Sequence, residues 1–452
     1  MMIKSYFIKF TLLLVLSVST IPGRAQQILN SYAEQGLKSN ANIDKLNFDY
    51  QASVWALKES KKMFGPSVDI TGGYTRNFRQ PIDLGSGSGN TSSLLEQLLM
   101  SSSKNGKLYY PGINHFSSAL QITQNIYNRQ LVYSRDIKEE NSRSSASQLA
   151  DFRIELEAEI RTAYFQYLQA VSLKEAVERG VKNARQNLAG IQSLLNQQRL
   201  TKESLYKSRA NLSSVEAQLS DMENSRIKAQ FYFNFLINKL PGDTILTDQF
   251  YLFDPARTYR IATDRDTAIS GYHLTAIESA AKSATLQKKQ VNAQSLPVLQ
   301  FTGTGGISGN SIDFSNRRLP YGALEVSFKW NIFNSGASQA RSRQALFQER
   351  SLNAQYQNTR NQLRTDELSA FHDVAAQLAN YGAVSSGYKN ASVYYEAVRS
   401  KFMAGLATLL ELLDAEYSLQ QADMDRLKWY YTLQIKISTY QKQTGKTLKL
   451  IP

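Results

Sequence analysis

The stretch Ala119-Leu120-Gln121-Ile122-Thr123-Gln124-Asn125-Ile126-Tyr127-Asn128 returns as Glu325-Val326-Ser327-Phe328-Lys329-Trp330-Asn331-Ile332-Phe333-Asn334, a shift of 206 residues (334 less 128). Each copy alternates polar and apolar residues, then ends in Asn-Ile-Tyr/Phe-Asn before a long proline-free run. A second echo links Pro66-Ser67-Val68-Asp69-Ile70-Thr71-Gly72-Gly73-Tyr74 to Pro297-Val298-Leu299-Gln300-Phe301-Thr302-Gly303-Thr304-Gly305. A third sets Thr201, Leu205 and Leu212 against Thr408, Leu412 and Leu419, a shift of 207 residues. Both halves show the same order: helical run, strand, loop, strand, very long helical run, break, helical run. The period is far too long for a solenoid. It reads as a duplicated half-molecule, with one copy over 26–240, a connector over 241–268, a second copy over 269–445 and a tail over 446–452.

The strand patterns have a common chemistry. Val68, Ile70 and Tyr74 alternate with Asp69, Thr71 and Thr75. Phe116, Leu120 and Ile122 share a second strand's face. Leu324, Val326, Phe328 and Trp330 oppose Glu325, Ser327 and Lys329. Apolar groups on one side and charge on the other suit lipid outside and water inside. A soluble sheet packed on one face gives a similar pattern, but four short strands alone leave open edges. Closure then needs more than one chain. The expected lipid-facing positions are Val68, Ile70, Tyr74, Phe116, Leu120, Ile122, Leu324, Val326, Phe328 and Trp330.

The helical runs are far longer than the globular average of about 11–12 residues. Residues 28–64 read as one helix that Gly65-Pro66 stops. From about 128 to 196 there is no proline, and only Gly180 and Gly190 interrupt the pattern. Such a helix is about 100 Å long at 1.5 Å per residue. A short polar break at Gln197–Thr201 returns the chain into an antiparallel helix over about 202–238. The second half repeats this with helices over about 269–294, 335–402 and 408–443. An insert over 79–112, rich in Gly and Ser, separates the first two strands.

Lys4 and Lys9 precede the apolar run Phe10–Val18, and Gly23-Arg24-Ala25 supplies a small-residue cleavage site. Residues 1–25 therefore read as a secretory signal, since the run is too short to span a bilayer. With no other apolar run of spanning length, a mature chain that crosses a membrane does so as a closed barrel. The chain has no cysteine, which excludes disulfides, thiolate nucleophiles and thiolate metal sites. Its net charge of +14 becomes +11 (14 less 3) without Lys4, Lys9 and Arg24. The basic residues are scattered along helices among Glu and Gln, which describes a solvated surface better than a nucleic-acid site.

Enzyme chemistry has little support. His115, His273 and His372 lie in different elements, whereas catalytic and metal sites need converging groups. Gly303-Thr304-Gly305-Gly306 follows a strand, but no helix follows to present its N-terminus to a phosphate. No catalytic residue, metal site or cofactor is expected.

The segment Lys401-Phe402-Met403-Ala404-Gly405-Leu406-Ala407-Thr408-Leu409-Leu410-Glu411-Leu412-Leu413-Asp414-Ala415 resembles the second hairpin tip of TolC-like outer-membrane efflux proteins. The repeated Asn-Ile-Tyr/Phe-Asn and the proline before each half's first strand are also similar to that family. The resemblance implies a mixed α and β fold. Long antiparallel helices form a coiled-coil barrel, and four strands per chain contribute to a trimeric transmembrane β-barrel. It implies an outer-membrane location with a large periplasmic part and a passive exit duct for a tripartite efflux or type I secretion system. The implied partners are two further copies of the chain, outer-membrane lipid, a periplasmic adaptor and an inner-membrane transporter.

By the same resemblance, Glu411 and Asp414 fall at the constricted periplasmic entrance. Spacing i, i+3 puts both on one helix face, where three chains would stack them into cation-favouring rings. An ordinary solvated helix face is the plainer alternative. The candidate adaptor contacts are Gln198, Arg199, Leu200, Thr201 and Lys202 in the first tip, and Phe402, Gly405, Leu406 and Ala407 in the second. A rival architecture is an exported periplasmic coiled-coil scaffold without a channel; it explains the helices but leaves the strand alternation unused.

Overall fold

The computed structural model describes residues 27–76, 114–248, 251–253, 260–261, 271–309, 319–444 and 450–451. The signal segment and the 79–112 insert lie outside the described residues. The first half contains α1 (Gln27–Ser39), α2 (Ala41–Lys62), β1 (Ser67–Arg76), β2 (Asn114–Tyr127), α3 (Arg129–Asn196) and α4 (Lys202–Leu236). A short strand β3 (Arg260–Ile261) precedes the second half. That half contains α5 (Gly271–Asn292), β4 (Val298–Gly309), β5 (Leu319–Lys329), α6 (Ala337–Met403) and α7 (Leu409–Thr444), then β6 (Leu450–Ile451). The halves match in element length: α2 and α5 have 22 residues each, α3 and α6 have 68 and 67, and α4 and α7 have 35 and 36.

The chain forms two compact units, each assembled from segments of both halves. One comprises Met1–Ala52, Arg143–Ser279 and Asn353–Pro452; the other comprises Ser53–Ser142 and Ala280–Leu352. The second unit holds one antiparallel sheet in the order β1-β2-β4-β5. Its register is informative. Val68 pairs with Ile122, Ile122 with Gly303 and Gly303 with Leu324. Ile70 pairs with Leu120, Tyr74 with Phe116, Phe301 with Val326 and Leu299 with Phe328. Directly paired residues share a face, so the apolar positions form one continuous surface. Asp69, Gln121, Thr302, Thr304, Glu325 and Lys329 form the other. Gly306 has a packing reason: a Cβ there would lie 2.3 Å from the carbonyl oxygen of Ser118 on β2.

The repeated motif explains itself at the strand-to-helix joints. The Asn128 side chain accepts the N–H of Gln130 at 3.1 Å, capping α3. The Asn334 side chain accepts the N–H of Ser338 at 3.2 Å, capping α6. Asparagine oxygens commonly satisfy the free donors of a helix's first turn.

The first unit is a helical core. Tyr32 meets Phe233 edge-on at 5.1 Å, and Tyr164 lies 5.6 Å from the same ring. Leu29, Leu156, Ile160, Leu168, Tyr430 and Tyr431 belong to the same buried cluster. The connector has no sequence period, yet two tyrosines pin it. The Tyr32 hydroxyl accepts the Leu246 N–H at 2.8 Å, and the Tyr164 hydroxyl accepts the Asp248 N–H at 2.7 Å. β3 pairs with β6, so the expected tail carries a strand.

Two expected boundaries change. The helix read over 28–64 breaks at Asn40, whose side chain caps α2 through the Asn42 N–H at 2.9 Å. The Asn40 amide also reaches Leu236 O at 3.4 Å, and Asn238 returns a bond to Ser39 O at 3.2 Å. The fourth strand ends at Lys329, so Trp330 lies just beyond it, its indole N–H bonded to Ser295 O at 2.9 Å.

The two hairpin tips use one hydrogen-bond scheme, displaced by 207 residues. The Gln198 and Arg199 N–H groups donate to Leu195 O and Leu194 O, both at 2.9 Å. The Gly405 and Leu406 N–H groups donate to Phe402 O at 2.9 Å and Lys401 O at 2.8 Å. This double closure places one residue in the left-handed region: Gln198 at φ 57° and Gly405 at φ 79°. A side chain there costs about 1–2 kcal/mol. Gln198→Gly is therefore expected to raise the local stability of its tip by about 1 kcal/mol, and Gly405→Ala to lower the other by about the same amount. Amide exchange at residues 194–199 and 401–406 measures both.

Candidate functional site

The candidate entrance is built on the two tips. Phe402 is 3% exposed and packs with Ile191, Leu194, Tyr395, Val398, Leu412 and Ala415. Leu200 and Ala407 lean on the same cluster half-buried. This corrects the reading of Phe402 as a partner contact: its ring joins tip to tip and is not offered outward. Gln198, Arg199, Thr201, Lys202 and Leu406 are exposed. A Cβ on Gly405 would lie 3.0 Å from the guanidinium of Arg199, so the first tip's cation sits against the second tip's turn.

Glu411 and Asp414 are both exposed on the first turns of α7. The Glu411 carboxylate already has a structural task. It accepts the Thr408 N–H at 2.7 Å and the Thr408 hydroxyl at 3.1 Å, while Thr408 Oγ1 accepts the Glu411 N–H at 3.2 Å. This reciprocal capping box satisfies free donors at the helix start. The Thr408 bonds hold the Glu411 carboxyl below the usual carboxylate range. The first tip lacks this reciprocal box: Thr201 makes no side-chain cap bond, and its side chain instead bonds Glu203, holding that carboxyl below the usual range. The shared turn thus carries different chemistry in the two halves.

Two buried polar groups were not expected. Glu416 is 4% exposed; Asn187 on α3 donates to its Oε2 at 3.0 Å and to the Tyr395 hydroxyl on α6 at 3.3 Å. Glu416 Oε1 is buried without a hydrogen-bond partner, a defect that typically costs about 1–3 kcal/mol. Burial pushes the Glu416 carboxyl up, and the Asn187 bond only partly opposes this. Further along α7, Asp423 joins Arg426 at 2.6 Å and Arg179 of α3 at 2.6 Å. The Arg426 guanidinium lies 3.6 Å from the Tyr388 ring centroid and 4.5 Å from that of Phe253. Leu412, Glu416, Leu419, Asp423 and Leu427 repeat at three-to-four spacing, so the buried stripe passes through both acids. That spacing was the available signal.

Among the ten expected lipid-facing positions, Phe116 is half-buried and the others are exposed. Ile70 and Leu324 reach 82% and 81% exposure. Among the described residues no group of His, Asp and Glu could hold a metal ion. His273 bonds Asp151 at 3.0 Å, and His372 lies edge-on to Phe371, well apart in sequence. Among the described residues no helix is long and apolar enough to cross a membrane.

The sheet, with its exposed apolar positions, and the helices of 68 and 67 residues are the features to compare with known proteins. Residues 272–442 match the family model of outer membrane efflux proteins. The match spans α5 to α7, the second half alone. The outer-membrane channel OprN has the same fold, with a TM-score of 0.76 at 16% identity, over 92% of this chain and 90% of that one. The outer membrane protein VceC from Vibrio cholerae aligns with a TM-score of 0.75 at 15% identity, over 94% of this chain and 98% of that one. The open state of the outer membrane channel MtrE from Neisseria gonorrhoeae aligns with a TM-score of 0.73 at 16% identity, over 93% and 90%. No curated protein sequence matches the chain. OprN and MtrE are outer-membrane channels, and VceC is an outer membrane protein.

The raised Glu416 gives a pH signature. A folded-state pKa above the unfolded value means that the folded protein holds this proton more tightly. Stability from this group is full below the ordinary glutamate value and declines as pH rises through the raised one. Glu411 is opposite: its contribution is present above the ordinary value and lost as pH falls. Glu416→Gln is expected to remove only the first effect. The melting-temperature difference between Glu416→Gln and the parent should therefore widen in the variant's favour from acid to neutral pH.

Proposed function

We propose that three copies of this chain form an exit duct in the outer membrane, with a large periplasmic part, serving a tripartite efflux or type I secretion system. The observation that carries the reading is the sheet. Its apolar face is exposed on β1, β5 and much of β2, with glycines and half-buried side chains of β4 between them, and β1 and β5 are edges. Strands of 10, 14, 12 and 11 residues are long enough to span a bilayer when tilted. Three such sheets close into a twelve-stranded barrel. The apolar face then meets lipid, and the face bearing Asp69, Glu325 and Lys329 meets water.

The internal duplication fits this role, because two similar half-sheets and two similar hairpins per chain give a nearly regular ring of six. The long helices continue the conduit through the periplasm to the tips. Gln198, Arg199, Thr201, Lys202, Gly405 and Leu406, with Leu200 and Ala407 at the margin, are offered there to a periplasmic adaptor coupled to an inner-membrane transporter. Glu411 and Asp414, repeated in three chains, form acidic rings that favour cations. The channel is a passive conduit and performs no reaction. The matched family and the shared fold support this reading.

Planar-bilayer recording of the detergent-purified protein tests it. Glu411→Gln with Asp414→Asn preserves capping, since Gln also closes a capping box. Small cation-selective currents are expected from the parent, and a marked loss of that selectivity from the variant. Unchanged selectivity would remove the acidic ring and leave the duct. Folded protein that never conducts would overturn the duct.

A further inference from the structure

The last turns of α2, which lead into β1, carry a group of side chains that the conduit does not use. Trp55, Lys58, Glu59, Lys62 and Met63 follow i, i+3, i+4, i+7 and i+8, so they share one helix face. They border a shallow, open depression along this one helix. Trp55 is 63% exposed, and the Lys58 ammonium sits 4.0 Å from its ring centroid. Lys61 flanks this face in the helix's last turn beside Lys62, and Glu59 is the single acid on it. The depression lies in the same compact unit as the sheet. Lys62 is six positions before Val68, where the exposed apolar face begins. Trp330 stands exposed at the same end of the sheet.

We propose that this Trp55–Lys58–Lys62–Met63 face binds the anionic headgroup of a phospholipid in the leaflet nearest the helices. The inference rests on the membrane reading above and adds a ligand to it. Two ammonium groups one helical turn apart suit a phosphate, which each engages as a point charge. An indole with one polar edge is at home at the level of the headgroups. Met63, exposed five positions before Val68, offers an apolar contact toward the acyl chains. Lys58 is already oriented over Trp55, so one ordered side chain is in place before the lipid arrives. A bare patch of lysines would attract any polyanion. The adjoining lipid face and the interfacial Trp select a membrane source.

The chain's three tryptophans allow a direct test. Trp330→Phe with Trp429→Phe leaves Trp55 as sole emitter; Trp55→Phe with Trp429→Phe leaves Trp330. Each protein is reconstituted in phosphatidylcholine vesicles containing a minor fraction of brominated phosphatidylglycerol or brominated phosphatidylcholine. Trp55 emission should be quenched preferentially by the brominated phosphatidylglycerol. Lys58→Gln with Lys62→Gln should reduce that preference roughly tenfold, and Lys58→Arg with Lys62→Arg should keep it. Equal quenching by both lipids would overturn headgroup recognition. An unquenched Trp55 beside a quenched Trp330 would show this face covered by protein, defeating the proposal while sparing the membrane reading. If neither tryptophan is quenched, the membrane reading itself fails and the proposal with it.

Discussion

A sheet of four strands with a bare apolar face and two open edges is not a finished structure in any solvent. Water penalises the exposed face, which carries Val68, Ile70, Leu324, Val326 and Phe328; lipid penalises the edges, because unpaired backbone N–H and C=O groups find no partner in hydrocarbon. Among the described residues no other strand pairs with the outer edge of β1 or β5. The proposed duct meets both demands, through closure with further copies inside a membrane. Much else follows from that requirement. The second strand of each half must pass at once into a long helix, hence the capping asparagines Asn128 and Asn334. The helices must stay apolar enough to pack but too polar to enter lipid.

The tips show how a duplicated plan is kept in backbone and altered in side chains. Both turns close through the same two hydrogen bonds. One uses glycine at the left-handed position; the other tolerates Gln198 at a cost. Only the second adds the Thr408–Glu411 box. The acid that caps the helix is also one of the two acids facing solvent at the candidate entrance. Helix capping and surface charge are therefore coupled at Glu411. Behind that surface lie Glu416 and the Arg179–Asp423–Arg426 chain of charges, which tie α3 to α7. A buried ion pair contributes little net stability over apolar packing, but losing one partner is costly. Here the buried pair, Asp423–Arg426, lies within α7, and the link to α3 comes through the half-exposed Arg179.

Much of this was legible in the residues. Period-two alternation in Leu324–Trp330 predicts a shared face, and the register pairs its members up to Phe328 with apolar or glycine positions on the neighbouring strand. Proline-free runs predict α3 and α6 to within two residues at each end. Other features were hidden for physical reasons. The break at Asn40 depends on hydrogen bonds from residues near 237, almost two hundred positions away, which no local period can report. Phe402 reads as a tip residue by sequence position, but the turn rotates it into the core. Glu416 sits two residues from Asp414, and helical geometry sends the two to different faces. β3 and β6 are too short to carry a pattern.

Accessibility along β5 tests the central claim most directly, and the cysteine-free sequence makes it practical. Spin labels would be placed singly through Leu324→Cys, Glu325→Cys, Val326→Cys, Ser327→Cys, Phe328→Cys and Lys329→Cys in the reconstituted protein. Collision with oxygen, which dissolves in lipid, would be compared with collision with a water-soluble nickel complex. An amphipathic strand in a closed barrel predicts strict alternation, with oxygen favoured at 324, 326 and 328 and nickel at 325, 327 and 329. Equal exposure of all six positions to the aqueous reagent would contradict it.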